Sequence, residues 1–229
     1  MKMRNTISNM FFILVLSIFI SCSKETTPEE KITQPEIKKE FDIKEHFIAG
    51  VLGDKNKSVY LIKFLEKEKA IFMNSTQEFI GKYKFTDKTL EFEVDDPNNY
   101  RIAQFTFDEN YNVISSYYRA LQMEYPSKSV LLSIPDKNLL AGKTFVGKEY
   151  KFGAEDKPIL HYKFDETGTK YGSAVDLNTL TTNRKIELIN NCAFRFKDKG
   201  ISEIGFINKD VLTVFRVQGL YYFGEYKEK

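Results

Sequence analysis

Beyond residue 46 the chain alternates with a period of two, and that alternation limits its fold more than any other feature. "TLEFEV" places Leu90, Phe92 and Val94 on one face and Glu91 and Glu93 on the other. "EFIGKYKF" groups Phe79, Tyr83 and Phe85 opposite Lys82 and Lys84, and "ILHYKF" groups Leu160, Tyr162 and Phe164 opposite His161 and Lys163. Such segments describe antiparallel strands with one face on a core and the other in water. Turn chemistry separates them at short intervals, as in "GDKNK" (53–57), "DDPNN" (95–99), "DENYN" (108–112), "DETG" (165–168) and "KDKG" (197–200). The expectation is an all-β protein, an antiparallel meander forming a barrel or sandwich. Helix is expected only as a turn at 41–48 or near 136–141.

The segment "YPSKSVLLSIPDKN" (125–138), bounded by Pro126 and Pro135, reads as a crossing between a first β-rich half, 46–136, and a second, 137–229. Both halves open alike, "FIAG" at 47–50 and "LLAG" at 139–142, and each holds a Gly-x-Tyr strand, at Gly81–Tyr83 and Gly224–Tyr226. Two tandem halves are one arrangement consistent with this pattern, and one continuous barrel is the other. A body of about 180 residues is large enough to bury either kind of core.

The first residues are of a different kind. Lys2 and Arg4 precede an apolar run from Met10 to Ile20 interrupted only by Ser17. As a helix that run is roughly 16 Å long, short of the about 20 residues that span a bilayer. Positive start, short apolar centre and small closing residues read as a secretory signal peptide over 1–21. "FISCS" (19–23) resembles the lipobox of bacterial lipoproteins. That resemblance implies cleavage before Cys22, diacylglycerol on its sulfur, and lipid anchoring in the bacterial cell envelope, at the outer membrane. Residues 22–45 carry two prolines, many charges and few apolar side chains. They read as a tether able to reach up to roughly 75 Å.

Without Lys2 and Arg4 the 34 basic side chains become 32, equal to the 32 acidic ones. A near-neutral exported body argues against a nucleic-acid partner, which needs clustered positive charge. Of the two cysteines, Cys192 lies in "NCAFRF", where it alternates with Phe194 and Phe196 and reads as a small buried hydrophobe. No signature calls for a cofactor or a metal. "GKT" (142–144) has Lys137 where a phosphate-binding loop needs its first Gly. The two histidines, His46 and His161, are far apart, and no metal-ligand spacing or nucleophile–base order emerges. "DDPNN" offers oxygens to a Ca²⁺, but the same residues are what a tight turn wants. No catalytic set is predicted, and the chain reads as non-catalytic.

The meander, the export signal and the aromatic strands resemble the lipocalin-like domains of many bacterial lipoproteins. The Gly-x-Trp signature of true lipocalins is absent, since the chain has no Trp. Three arginines share faces with apolar residues: Arg101 with Ala103, Phe105 and Phe107; Arg119 with Tyr117, Leu121 and Met123; Arg216 with Leu212 and Val214. If those faces line an interior, each guanidinium needs a partner, either a carboxylate such as Glu203 or the anionic head of a ligand. Strand-end arginines reaching water are the alternative. Arg101, Tyr117, Arg119 and Arg216 are therefore the candidate lining of a small-ligand cavity. "GLYYFGEY" (219–226) is the candidate surface for an envelope protein, with Tyr221, Tyr222 and Phe223 as its anchors.

Overall fold

The computed structural model describes residues 41–229; Cys22, the signal segment and most of the tether lie outside them. Within these residues every strand belongs to one of two nine-stranded antiparallel sheets. The first contains β1 (His46–Leu52), β2 (Ser58–Phe64), β3 (Lys69–Met73), β4 (Glu78–Thr86) and β5 (Thr89–Val94). It continues with β6 (Arg101–Phe107), β7 (Val113–Ala120), β8 (Met123–Tyr125) and β9 (Ser127–Ser133). The second contains β10 (Thr144–Lys151), β11 (Ala154–Phe164), β12 (Lys170–Ala174), β13 (Arg184–Lys185) and β14 (Glu187–Ile189). It is completed by β15 (Ala193–Asp198), β16 (Ile201–Asn208), β17 (Val211–Gln218) and β18 (Leu220–Glu228).

Each sheet is a meander whose last strand returns to pair with its first, β9 with β1 and β18 with β10. The open seam is spanned by the chain itself. Pro126 separates β8 from β9 and Ile186 separates β13 from β14, so each sheet curls into a nearly closed barrel. Tandem β halves are thus the architecture. The "FIAG"/"LLAG" likeness is not its signature, because Phe47–Gly50 lies in β1 while Leu139–Gly142 lies in the turns before β10.

The alternation predicted from sequence builds both interiors. Leu90, Phe92 and Val94 are buried in the first barrel, where the rings of Tyr60, Phe92 and Tyr118 surround Phe72 at 5.2–6.2 Å between centroids. Each fully buried ring of this kind contributes about 1.5–3 kcal/mol. Leu160, Tyr162 and Phe164 do the same in the second barrel with Phe145, Tyr171, Phe194 and Tyr226.

Four strands do not alternate. β1, β2, β16 and β17 are buried on almost every residue. Their outer faces meet in a third apolar cluster that joins Phe47, Ala49, Val59 and Leu61 to Ile204, Phe206 and Phe215, with Phe223 of β18 beside them. Strands covered on both faces lose the polar half of their pattern. The barrels are therefore packed wall to wall, and residues 41–229 form one compact unit.

Two expectations change at the edges. Phe41 to Glu45, expected in the tether, belong to the folded body. Phe41 stacks on Tyr111 at 3.7 Å, Ile43 is buried, and Asp42 caps a short 3-10 turn by accepting from the Lys44 N–H at 2.9 Å. Cys192 is buried, as expected, but does not share a face with Phe194 and Phe196. Asn190 and Asn191 both adopt positive φ, which turns Cys192 into the inter-barrel cluster while the two phenylalanines point into the second barrel.

Candidate binding site

The outer face of the β10–β18 pair forms the floor of a cleft between the barrels. Register places Lys148 opposite Glu225, Val146 opposite Lys227 and Tyr150 opposite Phe223, all on the outward side. The β1–β2 hairpin, residues 53–57, leans over this floor, and the β10–β11 turn at Phe152 and Gly153 closes one end. Gly153 has φ +80°, and a Cβ there would stand 3.0 Å from the Lys55 carbonyl oxygen. A residue without a side chain lets the two turns touch.

The cleft encloses about 680 Å³. Its apolar surface comes from Tyr150, Phe152, Tyr221 and Phe223, and its cations are Lys55, Lys57, Lys148 and Lys227, against the carboxylates of Asp54 and Glu225. Lys148 is held by Glu155 at 2.7 Å. Lys55, Lys57 and Lys227 form no ion pair with any described residue, and Lys57 Nζ stands 5.0 Å from the centre of the Phe223 ring. Three uncommitted ammonium groups around aromatic rings attract negative charge and flat or apolar groups together.

Beneath β18 the second barrel holds a buried ionic network. Arg216 Nη2 donates to Glu149 Oε2 at 2.7 Å, and the Arg216 guanidinium lies 4.5 Å from the Tyr222 ring centre. Lys157 Nζ also donates to Glu149. Glu203, wholly buried, accepts from Tyr162 Oη and from Arg184 Nη1, each at 3.3 Å. Local irregularity makes this possible. The β10–β11 pairing slips between Gly147 and Glu149, next to Pro158, and aligns Glu149 with Lys157. Proline in a strand is tolerated at such a bulge because no ladder N–H is needed there. Burial pushes the Glu203 carboxyl above its ordinary value, and the Arg216 and Arg184 guanidiniums offset part of that rise. Burial likewise pushes up the hydroxyls of Tyr162, Tyr171 and Tyr226.

No protein-family profile matches the chain, and no curated protein or solved structure is significantly similar to it.

The sequence-predicted residues are distributed among three places. Arg216 points into the second barrel, but its partner is Glu149 rather than the facing Glu203. Arg101 points into the first barrel with Ala103 and Phe105, its guanidinium 3.4 Å from the Phe79 ring centre and its Nη1 donating to the Asn99 carbonyl at 2.6 Å. Tyr117 and Arg119 do not line an interior. Tyr118 is the buried residue of that strand, Tyr117 donates to Glu124 at 2.7 Å, and Leu121 and Met123 are exposed. A register shift at Thr106/Phe107 causes this: Val113 packs on the core, Ile114 bulges out, and every later side chain of β7 changes face. The four residues therefore do not share a cavity.

Tyr221, Tyr222 and Phe223 all line the cleft; Tyr221 and Phe223 do so from the outer face of β18, and the Tyr222 ring also meets Arg216 and Lys157. Sequence reading missed Glu149, Lys157 and the cleft lysines, because "KEYK", "EDK", "DKNK" and "YKEK" look like ordinary solvated charge. Asp96 of "DDPNN" acts as a turn residue, accepting from the Asn98 N–H at 2.9 Å and from Asn99 Nδ2 at 2.8 Å. Among the described residues no cluster of three or more His, Cys, Asp or Glu is placed to hold a metal ion.

Proposed function

We propose that the chain is a non-catalytic binding module of the bacterial cell envelope, anchored at the outer membrane through acylated Cys22, that takes up a small anionic amphipathic molecule. The supporting observation is the inter-barrel cleft, with three lysines that have no ion-pair partner among the described residues, above a floor of Tyr150, Phe152, Tyr221 and Phe223. The ligand reading thus moves from the barrel interior to the wall between barrels. Fluorescence titration with anilinonaphthalene sulfonate, an aromatic anion, tests it. Lys55→Glu with Lys57→Glu should weaken binding by about tenfold or more, as expected for losing charge-assisted contacts. Unchanged affinity in that variant would overturn the assignment.

A second reading has its own support. Phe152 is 48% exposed and Tyr221 52%, both lining the cleft, and Leu220, next to Tyr221 in the chain, is 40% exposed. Large apolar side chains grouped at a surface suit a protein partner, so an inhibitor, immunity or accessory role in an envelope complex is the alternative. Crosslinking of the lipidated protein in its own envelope, followed by mass spectrometry of proteins and small molecules, separates the two.

A further inference from the structure

Tyr221 is shared by two cavities. On one side is the lysine-rimmed cleft. On the other, about 220 Å³ opens into the mouth of the first barrel, lined by apolar side chains such as Leu52, Tyr60, Phe72 and Tyr118 and by the uncharged polar residues Ser58 and Asn74 to Thr76. Consecutive residues serve the two spaces, Lys57 at the end of the β1–β2 turn the cleft and Ser58 at the start of β2 the barrel mouth. The Tyr221 ring is the partition. It is half exposed and leans on Phe152 and Phe215 at 5.9 and 6.0 Å between centroids.

The chemistry of the two spaces differs. The cleft presents cations, whereas the barrel mouth ends on the stacked rings of Tyr60, Phe72 and Tyr118. Tyr60 turns its hydroxyl away, to Ser129 Oγ at 2.6 Å and Ser127 Oγ at 3.2 Å, and so offers ring carbon rather than a polar group. At about 30 Å³ for each water displaced, the barrel mouth has room for one short, narrow chain and not for two.

We propose that the two cavities form one bipartite site for a free single-chain amphipath, with its anionic head among Lys55, Lys57 and Lys227 and its unbranched tail passing Tyr221 into the mouth of the first barrel. This rests on the anionic-ligand reading of the cleft and adds the tail and its direction. Charge complementarity fixes the head, and the ring-lined barrel mouth, which has no charged residue in its lining, fixes the tail. Each methylene buried contributes about fourfold in affinity.

The test is calorimetric titration of the Cys22→Ser chain, which keeps the acyl groups of its own anchor out of the experiment, with butanoate, hexanoate, octanoate and decanoate. Affinity is expected to rise about fourfold per methylene until the barrel mouth is full, and then to level off. Ser58→Phe, which fills that mouth, should make octanoate bind like butanoate. Since the chain has no Trp, Tyr221→Trp supplies a sole indole, excited selectively beyond tyrosine absorption and expected to shift to the blue with octanoate more than with butanoate. The fluorophore keeps the test open if Ser58→Phe fails to fold. Equal affinity for all four alkanoates would overturn the bipartite site and leave the anionic cleft standing. Failure of the alkanoates and of anilinonaphthalene sulfonate alike would overturn both.

Discussion

Glu203 and Arg216 stand directly opposite each other on β16 and β17 inside the second barrel, yet each is bonded to something else. Arg216 reaches Glu149, and Glu203 is met by Arg184 and Tyr162. Two carboxylates are thus shared among three cations in one buried layer, so no charge there is left alone.

That layer makes stability depend on pH. The Glu203 carboxyl is raised above 4.5 by burial, so the folded chain holds its proton more tightly than the unfolded chain does. Stability should therefore fall as pH rises from about 4.5 through the folded-state value. Glu203→Gln should remove that slope, measured as urea midpoints across the acidic range. Parallel profiles for the two proteins would refute it.

Breaking the other half of the layer is expected to be costly. Arg216→Met leaves Glu149 buried with only Lys157 and should destabilise by about 3–5 kcal/mol, with Glu149→Leu/Arg216→Met together costing less than the sum of the singles. Chemical denaturation of the three variants reads the coupling; strict additivity would show that the pair acts independently.

Tyr60 anchors the first barrel in two ways. A Cβ on Gly50, its cross-strand partner, would lie 2.4 Å from the Tyr60 ring, so Gly50→Ala should cost about 1–3 kcal/mol by overpacking. Tyr60→Phe removes the bonds to Ser127 and Ser129 and should cost about 1–2 kcal/mol. Thermal melts of both variants decide the matter, and wild-type melting in Gly50→Ala would mean that the ring yields freely.

The thiol of Cys192 is pushed up to about 12 by burial in the inter-barrel cluster. In the Cys22→Ser chain it should resist iodoacetamide at neutral pH and react only as the barrels separate in denaturant. Rapid labelling of the native protein would contradict its placement.

For the anchor, Cys22→Ser should abolish fatty-acid labelling and release the protein from membranes. Retained label would remove the lipoprotein reading.

Half-buried strands were legible in the sequence because their two faces meet different media: Leu90, Phe92 and Val94 could be assigned from six letters. Arg101 and Arg216 were also placed on the correct faces. Strand phase was harder. Tyr117 and Tyr118 are equally aromatic, and only the bulge at Ile114 decides which is buried. Such a slip depends on the partner strand, not on the strand's own residues. The barrel-to-barrel contact was hidden for a related reason. Phe47, Val59 and Phe215 face another sheet rather than water, and an apolar run does not say what covers it. The cleft lysines have no sequence signal at all, because a solvated lysine and one waiting above a phenylalanine are spelled alike.

Closure by the first and last strands sets an order of events. His46 pairs with Ser133, so the first barrel can complete itself while the second has yet to form; Phe145 pairs with Glu228, so the second must wait for residue 228. In that interval Phe47, Ala49, Val59 and Leu61 face water as a naked apolar wall. The surface that later welds the barrels is, during biogenesis, the chain's principal hazard, and the speed at which its second half arrives determines how long that hazard lasts.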